Sequence, residues 1–108
     1  MICFPQCDTN PFRGGNVETL TQRYWEAMLS GCLMIGRAPA ELIDLCGYDP
    51  VVNVDWNNPR EQIVEILNHI ENYQDVVNEN YDFALFHADW KCRIPYIKEC
   101  LQKEGYQF

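Results

Sequence analysis

Basic side chains are scarce in this chain: eight Lys and Arg stand against sixteen Asp and Glu, a formal net charge of −8. Such a surface disfavours non-specific binding to nucleic acid or to anionic membranes. Long apolar runs are also missing, and no stretch approaches the ~20 residues of a membrane span. The amino terminus, MICFPQCD, has neither the basic start nor the apolar block of a secretory signal, so a cytoplasmic protein is the expectation. Glycine-rich phosphate motifs are lacking, since Gly14-Gly15 fits neither G-x-G-x-x-G nor a P-loop. No Cys-x-x-Cys pair occurs among the six cysteines, at positions 3, 7, 32, 46, 92 and 100. Buried free thiols are the default in a reducing compartment. A zinc site or disulfides are the alternative, and a disulfide-bonded secreted domain would show fewer than six free thiols on denaturation.

What is present describes one globular domain, residues 1–108, with 47% apolar and 13% aromatic residues. No internal repeat, low-complexity tract or linker interrupts it. Four of the eight basic residues, Lys91, Arg93, Lys98 and Lys103, fall in the last helical stretch and read as solvated helix charges rather than as a basic face.

The stretch Val17 to Arg37, VETLTQRYWEAMLSGCLMIGR, organises the rest. Thr19 followed by Gln22 has the form of a capping box and predicts a helix start. Leu20, Tyr24, Ala27 and Met28 then recur at helical spacing and define an inward stripe. Gly31 suits a left-handed cap, and Cys32 to Ile35 is a short apolar run of the kind found in buried strands. Free N–H groups and the dipole at such a helix start favour negative charge. The backbone N–H groups of Leu20 and Thr21 are the expected donors, with Arg23 either assisting them or pairing with an acid. Glu18 before the helix and Glu26 inside it can each accept from two neighbouring hydroxyls, which is what a ribose or hexose offers. Their ordinary alternatives are a first-turn acid and an exposed helical carboxylate, the latter worth about a few tenths of a kcal/mol when paired. Phosphate at the helix mouth and sugar hydroxyls at the carboxylates together describe a nucleotide-sugar site.

The flanks predict an alternating fold. Ile2–Pro5 reads as a strand, residues 7–16 as a turn-rich loop, Pro39–Cys46 as a helix closed by Gly47, and Val51–Asp55 as a third strand. Asn58-Pro59 opens a long helix with Ile63, Ile66, Leu67 and Ile70 inward; Asp75–His87 continues helical, with Val76, Val77, Phe83, Ala84 and Phe86 as packing candidates. Trp90–Lys103 is the last helix, interrupted near Pro95, and the tail EGYQF is expected to fray. This order is that of an α/β sheet with right-handed crossovers, whose ligands bind outside the carboxyl ends of the strands. The loop from Gln6 to Thr19 and the turn at Arg37-Ala38 both leave strand ends on that side, although a solvent-facing Arg37 is the ordinary reading. His69 and His87 read as surface or packing histidines.

Glu18-x7-Glu26, in the context ETLTQRYWEAMLSGC, resembles the donor-binding signature of retaining GT-B glycosyltransferases. Arg23-Tyr24-Trp25-Glu26-Ala27 looks like the subgroup known as the glycosyl transferase group 1 C-terminal region, as do Phe4-Pro5, Ala40–Ile43 and His87-x-x-Trp90-x-x-Arg93. The similarity runs from Cys3 to about Leu101. It implies the later part of a GT-B donor domain: a partial Rossmann-like, three-layer sandwich with a small parallel sheet and extra C-terminal helices. By resemblance Glu18 is the catalytic-site glutamate that meets the donor sugar, and Glu26 binds the ribose. The substrate implied is a UDP- or GDP-sugar, without cofactor or metal, and the acceptor a glycan or lipid, as in polysaccharide biosynthesis. Enzymes of this family have two domains and the chain matches only the later part of the second, so little or no catalysis is expected from these 108 residues alone. The alternative is a non-catalytic α/β interaction module that dimerises through the open edge of its sheet.

Overall fold

The computed structural model describes residues 1–107. Three parallel strands, β1 (Ile2–Cys3), β2 (Ile35–Gly36) and β3 (Val52–Asn53), lie side by side in that order. Ile2 pairs with Ile35 and Ile35 with Val52; Cys3 pairs with Gly36 and Gly36 with Asn53. Between β1 and β2 come two single-turn helices, α1 (Gln6–Thr9) and α2 (Pro11–Gly14), and then α3 (Gln22–Leu29). Helix α4 (Ala40–Cys46) joins β2 to β3, and α5 (Pro59–Asn68), a 3-10 turn (Ile70–Tyr73), α6 (Gln74–His87) and α7 (Trp90–Lys103) complete the chain. The expected small parallel α/β sheet is present, and no helix of the described residues is long and apolar enough to cross a membrane.

Side chains alternate across a strand, so the two faces meet different partners. On one face Cys3 and Met34 join Tyr24, Ala27 and Met28 of α3, Ala38, Leu42 of α4, Val51 and Ala84 of α6 in a buried core. On the other, Ile35 and Met1 border a cleft shared with Ile63, Ile66 and Leu67 of α5 and with Ile70. Gly36 is demanded by the sheet itself. Its φ is +148°, and a Cβ there would stand 1.9 Å from the Cys3 carbonyl oxygen.

Helix α3 begins two residues later than the Thr19 capping box predicts. Thr21 is extended (φ −79°, ψ 160°) and is the N-cap, which puts Gln22 at the first helical position, too early to reach back as a capping-box partner. The Thr19 hydroxyl is buried without a partner. At the other end Gly31 is left-handed (φ +66°) as expected, with Gly31 N–H donating to Met28 and Cys32 N–H to Ala27 (3.0 Å), a Schellman closure. That closure takes Cys32 into the helix cap, so the strand expected over Cys32–Ile35 starts only at Ile35. The first and third strands are likewise shorter than their patterns.

Other corrections have equally local causes. The turn-rich segment 7–16 winds into α1 and α2, because Pro5 (φ −59°) and Pro11 at the first position of α2 preset helical φ. Ile70 sits on the 3-10 turn, not in α5, which ends at Asn68. Phe86 is exposed, whereas Ala84 is buried and Phe83 half-buried. The tail through Tyr106 is not frayed: Gly105 N–H donates to Gln102 and Tyr106 N–H to Leu101, closing α7 as α3 is closed. Phe108 lies outside the described residues. All six cysteines are free thiols, but Cys92 and Cys100 are exposed rather than buried.

Candidate functional site

The loops leaving the carboxyl ends of the strands meet around one arginine. Arg37 follows β2, and its guanidinium forks onto Asp8 of α1, with Nε to Oδ2 at 2.7 Å and Nη2 to Oδ1 at 2.8 Å. Nη1 donates to Glu18 Oε2. The backbone of Arg37 is fixed as well: its N–H donates to the Cys3 carbonyl at 3.0 Å, and its carbonyl accepts from the buried Tyr24 hydroxyl at 2.7 Å. One residue therefore ties β1, α1, α3 and the Glu18 loop together. The Arg37 guanidinium holds the Asp8 carboxyl below its ordinary range. Glu18 is lowered first by the Ala40 N–H, which donates to Oε1 at 3.0 Å, and then by Arg37. Burial raises the Tyr24 hydroxyl.

Glu18 precedes α3 in sequence, yet in the fold it caps the start of α4. Each of its oxygens takes one donor and keeps lone-pair capacity for another. Thr21 is the N-cap of α3, and its side chain makes no capping bond. Arg23 is exposed on the same helix and its charge is felt by Cys3, whose thiol burial raises. Glu26 is exposed one turn further along, in a depression of about 430 Å³ shared with Leu20, Gln22, Trp25, Trp90 and Arg93. The five predicted site residues are thus divided. Leu20 and Glu26 share the α3–α7 depression, Thr21 and Arg23 stand at the start of α3, and Glu18 belongs to the Arg37 cluster.

The His87, Trp90 and Arg93 constellation is a packing device, as expected. Arg93 lies over the rings of Trp25 (5.5 Å) and Trp90 (5.8 Å) and donates from Nε to the His87 carbonyl at 3.0 Å. Phe83 stacks between Trp25 and His87.

A second opening lies on the Arg37 side. Phe4, Asp8, Thr9, Gly36, Arg37, Asn53, Val54 and Trp56 line a cleft of about 460 Å³. Trp56 is 73% exposed and stacks on Phe4 with ring centroids 5.9 Å apart. Its turn is pinned to α5: Gln62 accepts from the Asp55 N–H and donates to the Asn53 carbonyl, both at 2.8 Å, while Asp55 Oδ1 accepts from the Asn57 N–H at 3.0 Å. Asp8, Asn53 and Trp56 are not singled out by any motif. The signal that finds them is positional, because each lies within a few residues of a strand's carboxyl end, where α/β folds bind ligands. Among the described residues no three His, Cys, Asp or Glu side chains converge as a metal ligand set.

No protein-family model, curated protein or solved structure matches the chain.

Proposed function

We propose that this chain is the nucleotide-sugar-binding part of a retaining GT-B-type glycosyltransferase, a partial Rossmann-like domain that holds the donor while another domain holds the glycan or lipid acceptor. The diphosphate sits at the start of α3, on the backbone N–H groups of Leu20 and Thr21 and, because the helix starts at Gln22, on those of its first turn, with Arg23 beside it. Glu26 receives the ribose hydroxyls, and Glu18 meets the donor sugar with the lone pairs that Arg37 and Ala40 leave open. One observation carries the reading: α3 begins at the end of the loop from β1, and the Thr21 side chain leaves its first turn uncapped. The N–H groups of Gln22 and Arg23 and the helix dipole therefore face an anion, while the Tyr24 N–H donates to the Thr21 carbonyl at 3.3 Å. Stabilising the departing diphosphate there is electrostatic catalysis, to which the rest of a two-domain enzyme would add the acceptor and further basic groups.

Calorimetric titration with UDP, GDP and their sugars tests this. Saturable binding that weakens about tenfold in Glu26→Gln supports it; a flat titration of the folded protein rejects it. A second reading has its own observation. At the β1 edge of the sheet Ile2 is 63% exposed, which suits a non-catalytic module pairing edge to edge with a second copy. Sedimentation would then show a dimer that loses self-association on Ile2→Lys.

A further inference from the structure

We propose that the cleft between Phe4, Asp8, Asn53 and Trp56 is a binding site for a neutral pyranose ring, independent of any diphosphate at α3. The charge at its mouth excludes the obvious alternative. An arginine at a strand's carboxyl end invites a phosphate, but Arg37 already spends three of its five N–H donors on the carboxylates of Asp8 and Glu18 and faces the Cys7 sulfur with Nη2. Two acids against one base leave the cluster net negative, and the whole chain carries −8. A phosphate would have to compete with the Asp8 carboxylate, already forked onto Arg37, and with Glu18 beside it. A neutral ligand meets no such opposition.

The remaining lining fits a sugar. A pyranose has a face of C–H groups and a rim of hydroxyls, so it asks for an aromatic plane beside acceptors and donors. Trp56 supplies the plane: its indole is 73% exposed, backed by Phe4, and held on a turn that Gln62 and Asp55 fasten to α5. A large aromatic surface left in water over a cleft gains when an apolar face covers it. Rim hydroxyls find Asp8, whose Oδ2 accepts one bond, from Arg37, and so keeps room for a hydroxyl, while Oδ1 accepts from both Arg37 and the Cys7 thiol. Asn53 uses its amide nitrogen on Asp49 at 3.0 Å and presents its side-chain oxygen as an acceptor, with Thr9 contributing a hydroxyl. The fixed turn means that little ordering is required on binding.

The test is a nitrogen–proton correlation titration of the full chain, followed at the backbone amides of Gly36 and Val54 and at the Trp56 indole, which is identified by its loss in Trp56→Phe. The probes are the methyl glycosides of glucose, galactose, mannose and N-acetylglucosamine with their disaccharides, and separately inorganic pyrophosphate, uridine and guanosine. At least one saccharide should shift these resonances saturably, with a dissociation constant of about 1–10 mM for a single ring. Trp56→Ala should weaken that binding at least about tenfold, and, because the side chain is exposed, leave the rest of the spectrum unchanged. Trp56→Tyr should restore most of it. Absence of any saccharide-induced shift up to about 100 mM, saccharide shifts unchanged in Trp56→Ala, or shifts by pyrophosphate or a nucleoside that equal those of every saccharide would each overturn the proposal.

Discussion

Two arginines hold two ends of this molecule, and they do so by different physics. Arg37 joins the strand ends through a forked ion pair, a second carboxylate and both of its backbone polar groups, directly over the buried Tyr24 and Cys3. Arg93 holds α7 by lying on Trp25 of α3 and by one bond to the His87 carbonyl of α6, beside Trp90 of its own helix, and α7 has no buried residue of its own. The overall shape reflects the contrast. The radius of gyration is 16.5 Å, against about 13 Å for a compact chain of this length. Geometry is therefore fixed where the strands end and more loosely held where the chain ends.

The largest test of that contrast is Gly36→Ala. A methyl group 1.9 Å from the Cys3 carbonyl forces β1 and β2 apart, and a loss of about 4 kcal/mol or more is expected, visible as a missing cooperative melting transition. Asn80→Ala comes next. This fully buried amide accepts from the Tyr48 hydroxyl at 2.7 Å and donates to the Pro50 carbonyl at 3.0 Å, tying α6 to the turn before β3. Its removal orphans both partners and should cost about 2–3 kcal/mol, read as a lower urea midpoint with unchanged slope.

Arg37→Met sharpens the comparison through pH. Asp8 and Glu18 have folded pKa values below their ordinary 3.8 and 4.5, so their ionised forms stabilise the fold above that range. That contribution is lost as pH falls through the lowered values. The wild-type protein should lose stability from about pH 4.5 downward, and the variant should have a flatter acid limb. At pH 7 the variant should be weaker by about 1 kcal/mol, since all three side chains are partly solvated. Smallest of all is Ile97→Ala on α7. The side chain is 43% exposed, and less than about 0.5 kcal/mol is expected in thermal melts.

Local chemistry made much of this fold legible. Gly31 and Gly47 close helices where their positions say they should, Asn58-Pro59 opens α5, and the alternation of strands and helices yields the parallel sheet. The misreadings come from competition between local signals. Thr19-x-x-Gln22 matches a capping box, but Thr21 takes the extended cap position and shifts the start by two residues. Cys32 has a strand-like neighbourhood, but its N–H is drawn into the α3 cap. Of the candidate residues, spacing made visible the two glutamates, one before α3 and one inside it, but not that the fold sets them in different places. The partners of Glu18 were not visible, because Arg37 and Ala40 lie 19 and 22 positions away and no local pattern encodes a pairing of that range. Trp56 was hidden for the same reason, since its meaning depends on which strand ends become neighbours.

The measurement that bears most directly on the central claim is a backbone amide titration of the intact chain with a UDP- or GDP-sugar. The account predicts saturable shifts concentrated at Thr21, Gln22 and Arg23, with a weaker response in Glu26→Gln. Amides at the start of α3 that stay in place while the protein remains folded would contradict it.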